Sequence, residues 1–164
     1  MDAITLLRDD HRKVEDLFEQ FEKATGDGRK QKLALEICKE LTIHTIIEEE
    51  IFYPAIEGKV DEDLLKESFV EHDAAKVMIA EIEGGQPSDE FYDAKVKVLK
   101  EEIEHHVEEE EKPKEGLFAQ TREADVDLKD LGERIQMRKQ ALEEEIKAAG
   151  LPGPEATTLD EVEL

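Results

Sequence analysis

A chain of 164 residues has room for one domain with a substantial core and a short appendage, not for two full domains. Charged residues make up 41% of it and the formal net charge is −23, so nucleic-acid phosphates and anionic membrane surfaces are repelled and neither is expected as a partner. No run approaches a membrane span, the start "MDAITLLRDDHRK" carries no secretory apolar region, and the single cysteine, Cys38, has no internal partner, which together give the expectation of a cytoplasmic protein.

Helical periodicity dominates from the first residues onward, and almost nothing alternates with period two. A first helix is expected from about Ala3 to Lys23, where "ATGDGRK" breaks it. Within it Ile4, Leu7, His11, Val14, Phe18 and Phe21 step by threes and fours, so His11 lies on the apolar stripe. The second spans roughly Lys30 to Tyr53 and should end near Pro54 and Gly58, with Ile37, Leu41, His44, Glu48 and Ile51 in phase. Glu49 and Glu50 fall off that stripe and read as exposed neighbours.

The third helix covers about Glu62 to Glu83, with Leu65, Phe69, His72 and Ile79 on its stripe and Lys76 one turn after His72. The turn "GGQPSDE" follows, where Ser88 or Asp89 can cap the next helix. That fourth helix carries "FYDAKVKVLKEEIEHHVEEEE" as far as Pro113. Tyr92, Val96, Leu99, Ile103, His106 and Glu110 share its stripe, whereas His105 is out of phase. A fifth helix, "LKDLGERIQMRKQALEEEIKAA", has a weaker stripe of Leu128, Leu131, Ile135 and Leu142 and is expected on the outside. After Gly150, "LPGPEATTLDEVEL" reads as a disordered acidic tail. The expected organisation is an all-α, up-down-up-down four-helix bundle over 1–118, an accessory helix in 119–150 and the tail over 151–164.

Burying four histidines and two glutamates on inward stripes costs roughly 1 to 3 kcal/mol for each unpaired polar group, and more for a carboxylate, unless something compensates. A lone His44/Glu48 pair could be an ion pair at i, i+4 spacing. The same His-x-x-x-Glu spacing recurs in phase at His106 and Glu110, and His11 and His72 mark the other two helices. That recurrence points to a metal centre: imidazoles and carboxylates suit iron, manganese or zinc, and two carboxylates suit a dinuclear site. Ferritin-like bundles need two Glu-x-x-His motifs, and only Glu102 to His105 has that spacing. No phosphate-binding glycine loop, serine nucleophile elbow or cysteine zinc motif is present.

The segments "DHRKVEDLFEQFE", "ELTIHTIIEEEIFYPAI", "EHDAAKVMIAEIE" and "IEHHVEEEE" resemble the hemerythrin-like family, also called HHE cation-binding domains. The resemblance implies a bundle around a non-heme, carboxylate-bridged pair of iron ions that meets dioxygen. By position, His11 and His44 would hold one iron, His72 and His106 the other, and Glu48 and Glu110 would bridge. Oxygen carriers of the family have a further histidine where this chain has Lys76, which is expected to ligate as a neutral amine, to swing outward to solvent or to pair with a carboxylate. His105 is the alternative to His106 as ligand. The expected role is binding or sensing dioxygen, peroxide or nitric oxide. Competing readings are an enzyme acting on peroxide or oxygen, assisted by Lys76 or a tyrosine, and a metal-stabilised module that recruits a protein through its C-terminal helix.

Overall fold

Asp2 accepts a hydrogen bond from the Thr5 amide at 2.8 Å and so begins α1, Ala3–Lys23. The chain turns at Gly26, whose φ of 87° suits glycine, into α2, Asp27–Ile47. The computed structural model describes residues 1–159, and every regular element among them is helical. From Ile47 the rod continues through a wide π turn, Glu48–Phe52, into α3, Tyr53–Ile56. The rod ends at Ile56, between Pro54 and Gly58, where the break was expected. The Tyr53 amide bonds to the carbonyl of Glu48, five residues back, so the ladder is already loosened when the proline arrives without an N–H.

Asp61 caps α4, Glu62–Glu83, by accepting from the Leu64 amide at 3.0 Å. The helix α5, Tyr92–Glu111, has no side-chain cap, contrary to the expectation for Ser88 or Asp89. Asp89 instead accepts from the Gln86 amide at 2.7 Å and closes the preceding turn. Beyond Pro113 a short helix that periodicity does not announce, α6, Leu117–Glu123, precedes α7, Leu128–Ala149.

Packing of α1 on α2, α2 on α4, α4 on α5 and α5 on α1 closes a ring of four, and the short links make neighbours antiparallel. On the outside, α7 lies across α1, α2 and the π turn, and buries Leu131, Ile135 and Leu142 there. Its approach to the chain start is close: a Cβ on Gly132 would collide with the Met1 carbonyl and come within 3.1 Å of the Ala3 nitrogen.

The apolar core forms two clusters. Phe18, Phe21, Ile37, Ile79 and Leu99 belong to one, and Ile4, Leu7, Ile47, Phe52 and Phe118 to the other. Cys38 is buried in the first, where desolvation and the Glu83 charge push its thiol up to about 12. None of His11, His44, Glu48, His72, His106 and Glu110 is more than 5% exposed; the first four lie on rods that contribute to both clusters, and His106 and Glu110 follow members of the first along α5. Of the tail expected to be disordered, residues 151–159 have no regular structure but lie against α4, held by Asp73. Residues 160–164 lie outside the described residues. No helix among the described residues is long and apolar enough to cross a membrane.

Candidate metal centre

Helical phase turns the Nε2 atoms of four histidines inward, and two carboxylates meet them. His11, His44 and Glu110 form one triad whose candidate ligand atoms all lie within 4.8 Å of one another, and Glu48, His72 and His106 form a second. Glu48 Oε1 is 3.0 Å from His44 Nε2 and 3.1 Å from His72 Nε2, so it reaches both triads. Glu110 Oε1 does the same, 3.2 Å from His11 Nε2 and 3.2 Å from His106 Nε2. Ligand atoms that share one cation lie ~3 Å apart.

Several of these atoms have no other use. His11 Nε2, His44 Nε2, Glu48 Oε2 and Glu110 Oε1 are buried without a hydrogen-bond partner, since the close pairs are not aligned for one. His72 Nε2 and His106 Nε2 face each other at 3.2 Å, where two lone pairs repel unless a proton or cation lies between them. The donor set therefore fits a pair of cations: imidazole nitrogen and carboxylate oxygen in a dry layer, with orphaned atoms pointing at one another.

Each histidine also has an acid behind it. The Nδ1–H of His11 donates to Glu111 at 2.6 Å, that of His44 to Asp10 at 3.2 Å, that of His72 to Glu49 at 3.1 Å and that of His106 to Glu71 at 2.8 Å. This partnership fixes the ring and leaves the Nε2 lone pair inward. None of the four acids was singled out by periodicity, and Glu49 is not the free surface residue expected. A signal did exist. Asp10, Glu49, Glu71 and Glu111 are the immediate chain neighbours of His11, Glu48, His72 and Glu110, and each holds a histidine of a different helix.

Tyr53 was not placed by its spacing. Its hydroxyl donates to Glu110 Oε2 at 3.0 Å and lies 3.3 Å from His72 Nε2 and 3.4 Å from His106 Nε2. Lys76 points elsewhere: its ammonium pairs with Glu49 at 3.0 Å and Asp73 at 3.3 Å. His105 is 64% exposed and pairs with Glu109 and Glu71 on the surface, while His106 faces the core.

Without metal, opposite charges share this layer. Burial alone would push His44 down, but Glu48 and Asp10 outweigh it and raise the imidazole to about 10. His106 is likewise raised against burial by Glu110, Glu48 and Glu71. Burial together with the charges of Glu110 and Glu48 lifts the Tyr53 phenol well above its ordinary value.

Residues 2–113, from α1 through α5, match the Hemerythrin HHE cation binding domain family. The chain is 30% identical over 122 residues to a DNA nickase of Nostoc sp., an overlap that takes in 74% of this chain and 34% of that protein. It therefore spans about a third of that relative's length. The crystal structure of a hemerythrin HHE cation-binding domain-containing protein from Mycobacterium kansasii superposes with a TM-score of 0.74 at 21% identity, covering 92% of this chain and 94% of that one, which shows the shared helical-bundle fold. With its paired His/Glu triads and a family match over most of its length, the chain belongs to the hemerythrin HHE cation-binding family.

Proposed function

We propose that this chain is a cytoplasmic protein that holds two non-heme iron ions, one on each triad, and brings them to dioxygen, peroxide or nitric oxide. The observation that carries the reading is the convergence of four imidazole Nε2 atoms and two carboxylates in one buried layer, each imidazole backed by an acid. Bound iron would supply the electrons for reduction of an oxygen species. The chain supplies the rest. Glu48 and Glu110 would each serve both cations, because each reaches histidines of both triads. Asp10, Glu49, Glu71 and Glu111 keep the four rings in the ligating tautomer. Tyr53 offers an oxygen beside His72 and His106, the half in which Lys76 stands in place of the family's further histidine. Apolar clusters keep bulk water from the layer. Manganese and zinc suit the same donors, and membership of the hemerythrin family supports iron.

A second reading, an enzyme acting on peroxide, is favoured by the Tyr53 hydroxyl, a polar O–H held by Glu110 at 3.0 Å beside the candidate ligands. The nicking activity in the Nostoc relative's name is not carried over, because a charge of −23 opposes approach to a phosphate backbone.

Anaerobic loading with ferrous iron, followed by metal analysis and absorption spectra on exposure to oxygen and then peroxide, tests the proposal. About two iron ions per chain are expected, with His44→Ala and Glu48→Ala losing most of the metal. Full occupancy in both variants would remove the assignment. Sustained turnover of added peroxide would select the enzyme reading over binding or sensing.

A further inference from the structure

The C-terminal segment reaches the centre from outside the family's matched region. Asp73, only 1% exposed, accepts hydrogen bonds from the amides of Thr157 at 3.0 Å, Thr158 at 2.6 Å and Leu159 at 2.9 Å, and from the Thr158 hydroxyl at 2.7 Å. It touches none of the candidate ligand atoms. Its other partner is Lys76, at 3.3 Å. The segment latched there continues to Glu49, the acid behind His72. Glu49 Oε1 accepts from the Thr157 hydroxyl at 2.5 Å and from the Lys76 ammonium at 3.2 Å, while Glu49 Oε2 accepts from His72 Nδ1 at 3.1 Å. Lys76 is itself held by the segment, donating to the Glu155 carbonyl at 3.0 Å and the Thr157 hydroxyl at 3.3 Å.

We propose that residues 155–159 are a strap that positions Glu49, and through it His72, so that the strap sets how firmly the Glu48–His72–His106 triad holds its cation. The inference rests on the two-triad reading. Its asymmetry follows from the partners of the other acids. Asp10, behind His44, is held by Lys139 of α7 at 2.6 Å, and Glu111, behind His11, pairs with Arg12 of α1. Neither contact involves the strap. The attachment is polar and concentrated at its end: between Pro152–Thr157 and the walls of α2 and α4 lies a cavity of about 490 Å³, lined in part by Ile46, Phe69 and Ile79. Releasing the strap therefore requires breaking the Asp73 and Glu49 hydrogen bonds and separates little packed apolar surface. Acids behind metal-bound histidines are worth ~10- to 100-fold in metal affinity. Loss of the group that steadies such an acid should act on the same half of the centre.

The test uses the full chain loaded with cobalt(II), whose absorption reports its ligands, and follows extraction by EDTA. In Thr157→Val and in Asp73→Ala, one equivalent should leave about tenfold faster than in the parent while the other keeps its rate. Thr157→Ser should restore the slow phase. Amide exchange of the metal-free chain gives an independent readout: residues 157–159 should be protected in the parent and lose protection in Asp73→Ala. Unprotected amides in the parent would show that the strap is not seated and overturn the inference. Protected amides with unchanged cobalt release in Thr157→Val would also overturn it, leaving the two-triad reading intact. A parent chain that takes up no cobalt and no iron would bring down both.

Discussion

Spacing gives Lys76 a place beside the centre and gives Tyr53 none, whereas the structure brings the tyrosine and not the lysine to the candidate ligands. The lysine sits one turn after His72 yet turns to Glu49 and Asp73, and the tyrosine's oxygen lies beside His72 and His106. If the phenol ligates, Tyr53→Phe should keep most of its iron but lose any phenolate-to-iron absorption band, and its reaction with peroxide should slow at least tenfold, about 1.4 kcal/mol of barrier. A variant with the parent's spectrum would take Tyr53 off the metal. His44 carries a prediction about pH. Its folded value is raised to about 10 by Glu48 and Asp10 against burial, so its contribution to the stability of the metal-free fold is complete below the unfolded value of about 6.5 and is lost as pH rises through about 10. The melting temperature of the metal-free chain should fall across that window. If His44 ligates metal as the neutral imidazole, the fall should be much smaller in the loaded chain, and parallel melting curves at several pH values compare the two.

At the scale of the element, the π turn decides what α2 and α3 present to the core. Five residues along a regular α-helix rotate a side chain about 140° from its starting direction, so Tyr53 would face away from Glu48. A five-residue hydrogen-bonded turn, Tyr53 amide to Glu48 carbonyl, brings both to the same centre. The docking of α7 is decided by a missing side chain. Gly132→Ala should drive the helix from the start of α1 and cost about 1 to 3 kcal/mol in urea unfolding, the usual penalty for overpacking. The Lys139 to Asp10 contact, 2.6 Å in the parent, should loosen with it. Unchanged stability would mean that Met1 and Asp2 yield instead.

In the whole molecule the apolar core is interrupted by a layer of six ionisable groups from four helical rods. Metal bound to that layer ties all four rods together, and binding to the folded state alone adds about 2.7 kcal/mol per site at a hundredfold excess over Kd. Removing metal with a chelator should therefore lower the melting temperature, and adding it back should raise the temperature in a concentration-dependent way. Equal melting with and without metal would mean that the layer is satisfied by its own ion pairs. The charge of −23 acts over a longer range: it draws cations toward the surface, an effect that salt screens.

The bundle and the six inward groups were legible because a helical side chain's direction follows from its position in the chain. Once Ile4, Leu7, Val14 and Phe18 define a stripe, His11 has one angular place to go, and the same holds for His44, Glu48, His72, His106 and Glu110. The outer acids were not legible in that way. Asp10, Glu49, Glu71 and Glu111 sit in charged runs where many neighbours look alike, and each is selected by a histidine on another helix. Which carboxylate meets which ring depends on how far two rods are rotated and slid against each other. Periodicity within one rod does not contain that information. Tyr53 was hidden because a change of helical pitch moved it onto the site, and the strap because its anchor, Asp73, lies 84 to 86 residues upstream of the amides it binds. Local spacing thus determined the fold class and the direction of each inward group. Tertiary packing decided the partners, since a hydrogen bond or a metal ligand set needs atoms from separate elements brought within about 3 Å.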